Sequence, residues 1–138
     1  MTEIYQDTIV GLAKAKSGAE RLGSPDASVT LDNPLCGDRI TLDIIVEGGT
    51  ISNIGHRVRG CMLCEAAASM IGQHAIGTST SEIATARGAL QAVLKGEAPE
   101  TSWAPVADFA PVGGFKSRHE CVMLPFEALE KAVAEAES

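Results

Sequence analysis

Aromatic side chains are scarce in this sequence: Phe, Tyr and Trp together make up 4% of its 138 residues. Its core must therefore be built from Ala, Ile, Leu and Val. No stretch approaches the roughly 18–20 consecutive apolar residues that cross a bilayer as a helix. The N-terminal stretch MTEIYQDTIVGLAKAKSG has no basic region followed by an apolar run, which argues against a secretory leader. A surplus of positive charge is also missing, since 11 Lys and Arg stand against 18 Asp and Glu, a formal charge of −7. Such a surface repels the phosphate backbone of nucleic acids. Internal repeats and low-complexity tracts are lacking as well. These absences point to a cytoplasmic protein without nucleic-acid or membrane partners. Its length suits one domain over 1–138, with enough buried core to fold without metal or disulfides.

The hydrophobic pattern that remains is regular. Tyr5, Ile9, Leu12 and Ala13 recur at helical spacing and predict a helix over residues 2–15. Val29 and Leu31 alternate with polar neighbours in a short strand that Asn33 and Pro34 stop. The clearest strand runs from Arg39 to Glu47, with Ile40, Leu42, Ile44 and Val46 on one face and Arg39, Thr41, Asp43 and Glu47 on the other. Gly48-Gly49 reads as a two-residue hairpin into a return strand, Thr50 to Arg59, with a bulge near Asn53 or Gly55. Cys61 opens an alanine-rich helix reaching about Ile76. A second helix starts at a capping box of Ser79 and Glu82, buries Ile83, Ala86, Leu90, Val93 and Leu94, and ends at Gly96. Residues 98–117 form a long connection. The last helix is expected over 123–136, with Pro125 in its first turn and a short helical turn before it. The order α-β-β-β-α-α-α describes an α+β domain: a small three-stranded antiparallel sheet backed by helices.

Four cysteines carry the chemistry. In a reducing compartment a cysteine set signals metal binding or catalysis more often than disulfides. Cys36 sits in the turn Asn33-Pro34-Leu35-Cys36-Gly37-Asp38, Cys61 where the third strand enters a helix, and Cys121 just before the final helix. Each stands at a junction where a side chain can be aimed without disturbing the core. Cys36 and Asp38, two apart across Gly37, can point at one ion, and Cys61 at a helix start is placed where the helix dipole favours an anion. Zinc accepts three thiolates and one carboxylate in a tetrahedron. Cys64 completes a C-x-x-C with Cys61, so four thiolates could equally hold zinc or an iron–sulfur cluster. One position of the ligand set stays open.

In three segments the chain resembles the U-type iron–sulfur cluster assembly proteins. They are Asn33-Pro34-x-Cys36-Gly37-Asp38, Gly60-Cys61 with its small-residue run to Ser69-Met70, and Arg118-x-x-Cys121-Val122-x-Leu124. The order of elements matches over nearly the whole length. Two details are similar to the SufU-like branch: Glu120 stands where cluster scaffolds have a His, and Cys121 follows Cys61 at an interval of 60 positions. There is also no Leu-Pro-Pro-Val-Lys-like chaperone motif before Cys121. The resemblance implies zinc held by Cys36, Asp38, Cys61 and Cys121, with Cys36 accepting persulfide sulfur from a SufS-like cysteine desulfurase. Downstream iron–sulfur assembly proteins would follow as partners. Any activity would be of sulfurtransferase type rather than that of a free-standing enzyme. Arg118, about one turn before Cys121, would steady thiolate charge. Cys64 departs from the branch's pattern and keeps open a scaffold that assembles a [2Fe–2S] cluster on the same residues.

Other residues have plainer readings. His56 alternates with Ile54 and Val58 as a structural histidine, and His74 suits a helix end. His119, two residues from Cys121, stays a ligand candidate. Trp103, Phe109 and Phe115 either anchor the long connection or form a partner surface. Glu127, Glu130, Glu135 and Glu137 read as a solvated helix face.

Overall fold

The computed structural model describes residues 7–34 and 37–137. The expectations for Cys36 and for residues 2–6 of the first helix therefore lie outside the described residues. The regular elements are α1 (Asp7–Ala15), β1 (Ala27–Asn33), β2 (Asp38–Glu47), β3 (Thr50–Arg59), α2 (Met62–His74), α3 (Ile83–Leu94) and α4 (His119–Ala136). The strands form one antiparallel sheet in the order β1-β2-β3, which is the α+β arrangement the pattern implies.

Period-two alternation decides which face of the sheet is covered. Ile40, Leu42 and Ile44 are fully buried, and α4 lies across β1 and β2 while α2 meets β3. Gly48 and Gly49 both take positive φ, +61° and +78°, the pair of left-handed residues that a tight hairpin turn needs. The bulge falls at Ser52: Ile45 pairs with Asn53 but Val46 pairs with Ile51, leaving one extra residue on β3. On α2, Leu63, Cys64, Ala66, Ala67, Ala68, Ser69, Met70 and Ile71 are all buried. A helix with so long a buried run belongs in the centre, and α2 packs between α1 and α4.

The connection between α1 and β1 is tied down residue by residue. The carbonyl of Ser17 accepts from His56 Nε2 at 2.8 Å and that of Gly18 from the His56 amide at 2.9 Å. The Ser17 amide donates to Ser69 Oγ at 3.1 Å. Two glycines permit this approach. A Cβ on Gly72 would stand 1.9 Å from the Ser17 carbonyl oxygen, and one on Gly55 would stand 2.1 Å from that of Glu20. Asp43, expected on the solvent face, is fully buried because this connection covers it. Its carboxylate accepts from Arg21 Nε and Ser28 Oγ, each at 2.6 Å, and from the Leu22 amide at 3.1 Å. Burial alone would raise its pKa, but the bonds from Arg21, Ser28 and Leu22 outweigh that and hold it below the usual carboxylate value.

Three expectations are corrected. The last helix begins at His119 rather than residue 123, which places Pro125 inside it instead of in the first turn. Burial explains the tolerance: Cys121, Val122, Met123, Leu124, Pro125 and Phe126 are all buried against the sheet and neighbouring helices. That packing offsets the backbone bond proline cannot donate. The capping box is half formed. Ser79 Oγ accepts from the Ser81 amide at 3.2 Å at the head of a 3-10 turn, Thr80–Glu82, but Glu82 accepts from Ser102 Oγ at 2.8 Å instead of reaching back. The long connection also has structure, because Ala104–Gly114 winds in 3-10 turns that bury Val106, Phe109 and Val112. Trp103 stacks edge-on against Phe126 at 5.7 Å. Trp103 and Phe109 are thus anchors, and Phe115 alone of the three is exposed.

His56 is 2% exposed, and burial pushes its pKa below the ordinary imidazole value against the carbonyls of Ser17 and Ala68. Between the two values the unfolded chain binds more protons than the folded one, so acidification costs stability there. The urea midpoint is expected to be flat above about pH 6.5 and to fall below it. The His56→Gln variant should lose that fall down to about pH 5, above the carboxylate range. An unchanged slope in the variant would contradict the assignment.

Candidate metal centre

Three chain segments meet at one end of the sheet. Asp38 opens β2 directly after the turn from β1, where Gly37 takes φ +73° and its amide donates to the Asn33 carbonyl at 2.8 Å. Asn33 and Asp38 are the last pair of the β1–β2 ladder, and Asp38 is 2% exposed. Cys61 is the residue on which α2 starts, with extended backbone angles and no side-chain bond to the helix amides. Cys121 lies in the first turn of α4 and is fully buried.

These residues converge. One ligand atom each from Asp38, Cys61 and Cys121 lies within 4.8 Å of the others. Asp38 Oδ1 accepts from the Cys61 amide at 2.9 Å, while Oδ2 stands 3.8 Å from Cys61 Sγ. Gly60 makes that reach feasible, because a Cβ there would sit 2.5 Å from Asp38 Oδ1. The sequence pattern placed Gly60 at the close of the third strand and in the Gly60-Cys61 motif, without a role toward Asp38. Its closeness to a residue 22 positions earlier leaves no local signal beyond a glycine preceding a cysteine.

The donor set fits a thiophilic ion of borderline hardness. Thiolates around tetrahedral zinc lie about 3.8 Å apart when each Zn–S bond is about 2.3 Å. The observed spread is thus within about an ångström of a closed shell. Cys61, the half-exposed member, faces the approach from solvent, with Asp38 and Cys121 behind it.

The remaining candidates stand elsewhere. Cys64 is fully buried on α2 and is outside the three-residue cluster among the described residues. His119 donates through Nε2 to the Gly113 carbonyl at 3.0 Å and so holds the long connection to α4. His74 packs against Trp103 with ring centroids 6.1 Å apart. Arg118 ends the 3-10 turn Lys116–Arg118 that leads into α4. The acidic face of α4 is less solvated than its pattern implies. Glu130 pairs with Arg87 at 2.8 Å, and Glu127 is half-buried, its pKa raised by burial and by Glu120 and Glu130 against the opposing Arg87.

Comparison with known proteins places this geometry in a family. The zinc-dependent sulfurtransferase SufU of Bacillus subtilis (strain 168) is 29% identical over 111 residues, covering 79% of this chain and 76% of that protein. The iron–sulfur cluster assembly scaffold protein IscU of Thermotoga maritima is 25% identical over 131 residues, covering 94% and 92%. Among solved structures, a NifU-like protein (N-terminal) from Brucella abortus superposes with a TM-score of 0.92 at 31% identity, covering 98% of this chain and 95% of that one. The sequence pattern of the NifU-like N terminal domain matches residues 5–137, and the chain belongs to that family.

Proposed function

We propose that this protein is a zinc-binding sulfur acceptor in iron–sulfur cluster assembly, loaded by a cysteine desulfurase. The observation that carries the reading is the convergence of Asp38, Cys61 and Cys121 within 4.8 Å. Cys36, two residues before Asp38, is the fourth ligand and the sulfur acceptor in this proposal. The similarity to a zinc-dependent sulfurtransferase supports it.

Bound zinc would keep the coordinating thiols as thiolates at neutral pH. The chain's own residues do the rest. Asp38 contributes a hard oxygen that exchanges more readily than a thiolate, which keeps the site labile. Buried Cys121 and the amide-anchored Asp38 fix the inner side of the site, and half-exposed Cys61 borders the approach. In the transfer step the Cys36 thiolate attacks the outer sulfur of the donor's persulfide. A new S–S bond forms at Cys36 Sγ, the donor's S–S bond breaks, and the electron pair leaves on the donor's cysteine as thiolate.

The second reading is a scaffold building a [2Fe–2S] cluster on the same residues, and similarity to IscU over 94% of the chain favours it. Metal and acid-labile sulfide content of protein purified without oxygen separates the two. The sulfur-acceptor reading predicts about one zinc per chain, no sulfide, and a desulfurase-dependent persulfide on Cys36 that Cys36→Ser abolishes. Iron and sulfide in equal amounts in a brown protein would replace it with the scaffold.

Gly60 and Asp38 test the ligand set. Gly60→Ala forces the Asp38 carboxylate away from Cys61 and should weaken zinc binding at least about tenfold, as loss of a supporting contact does at other metal sites. Asp38→Ala should weaken it further. Competition with a chromophoric chelator measures both, with far-UV circular dichroism checking the fold. Wild-type affinity in both variants would remove Asp38 from the shell.

A further inference from the structure

The outer face of the sheet, away from the helices, carries a cluster that the candidate centre does not use. Arg39 and Arg59 are direct cross-strand partners, and Arg57 is two residues from Arg59 on the same face, opposite Thr41. All three are exposed. Like charges placed directly opposite each other weaken a sheet, so strand pairing does not account for them. Asp32, opposite Arg39 on β1, neutralises one, with Arg39 Nε 2.6 Å from its Oδ1. Arg57 and Arg59 have no ion pair among the described residues. In a chain with only 11 Lys and Arg against 18 Asp and Glu, this is a local concentration against the overall sign.

Its position gives it a use. β3 runs from these arginines straight into Gly60 and half-exposed Cys61, followed by Met62, which is 37% exposed. A basic patch with an apolar neighbour therefore borders the open side of the cluster. The guanidinium groups spread over a flat strand surface, with neighbours on one strand about 6–7 Å apart. That spread suits several carboxylates on a protein surface better than one small anion. The charge of −7 disfavours a nucleic acid.

We infer that the outer face of β2 and β3, through Arg39, Arg57 and Arg59, is the docking surface for an acidic face of the sulfur-donating protein, orienting it over Cys61. This rests on the sulfur-acceptor reading. Charges at the rim of such a contact act on encounter rate and salt dependence more than on the chemical step.

The test is persulfide transfer from a SufS-type cysteine desulfurase, with the KM for this protein measured against salt. The double variant Arg57→Glu/Arg59→Glu is expected to raise KM about tenfold or more at low salt and to flatten its salt dependence, with kcat unchanged. Arg57→Lys/Arg59→Lys should keep most of the wild-type behaviour, because point charge is retained. Lys95→Glu/Lys131→Glu makes the same change in net charge at exposed sites elsewhere and should leave KM within about twofold. Unchanged zinc content in each variant reports an intact centre. A wild-type KM and salt slope in the arginine variant would overturn the docking surface alone, as would an equal effect from the distal lysines. A wild-type protein that accepts no sulfur would overturn the sulfur-acceptor reading and this inference with it. Binding of a labelled oligonucleotide lost with the two arginines would reassign the patch and overturn the inference.

Discussion

The carboxylate of Asp38 reaches the amide of Cys61 at 2.9 Å across a position that has no side chain. That contact joins the start of β2 to the start of α2, and the candidate centre is built on it. A strand end and a helix start are ordinarily loose, since each carries backbone groups without partners inside its own element. Here one carboxylate satisfies the amide of Cys61 and keeps a second oxygen facing the thiol of the same residue. Cys121 joins from the other side because α4 packs across β1 and β2, and its buried run from Cys121 to Phe126 fixes the thiol's height above the sheet. The core, rather than a surface loop, thus sets the inner wall of the site.

The same rigidity is built into the opposite side of α2. Gly55 and Gly72 let the connection before β1 lie against backbone, and Asp43 holds that connection through Arg21, Ser28 and the Leu22 amide. Removing Arg21 or Ser28 would leave the fully buried Asp43 carboxylate short of a partner, which is costly even though Arg21 itself is exposed. On the far side, Trp103 and Phe109 seat the long 3-10 segment beside α3 and α4. The central helix is held from both flanks while its first residue stays accessible.

Much of this was legible in the sequence because it depends on local periodicity. β2 alternates cleanly, the Gly48-Gly49 turn names its own geometry, and the alanine-rich run after Cys61 marks α2. Asp38, Cys61 and Cys121 could be grouped because each falls at an element end. The illegible features are long-range. Asp43 reads as a solvent-facing strand residue until Arg21 and Leu22, 22 and 21 positions earlier, cover it. Glu82 fits a capping box until Ser102 competes for its carboxylate. Pro125 argues for a helix start, and only the buried stripe around it shows that packing overrides the proline. Gly60 looks like a terminator, although its missing side chain serves a carboxylate on another strand.

The central claim is that Asp38 and three cysteines form one metal shell from which Cys64 is excluded. X-ray absorption at the zinc edge of the purified protein measures that shell directly. Three sulfur scatterers at about 2.3 Å and one oxygen at about 2.0–2.2 Å are expected. A shell of four sulfurs, or of nitrogen from a histidine, would contradict the claim.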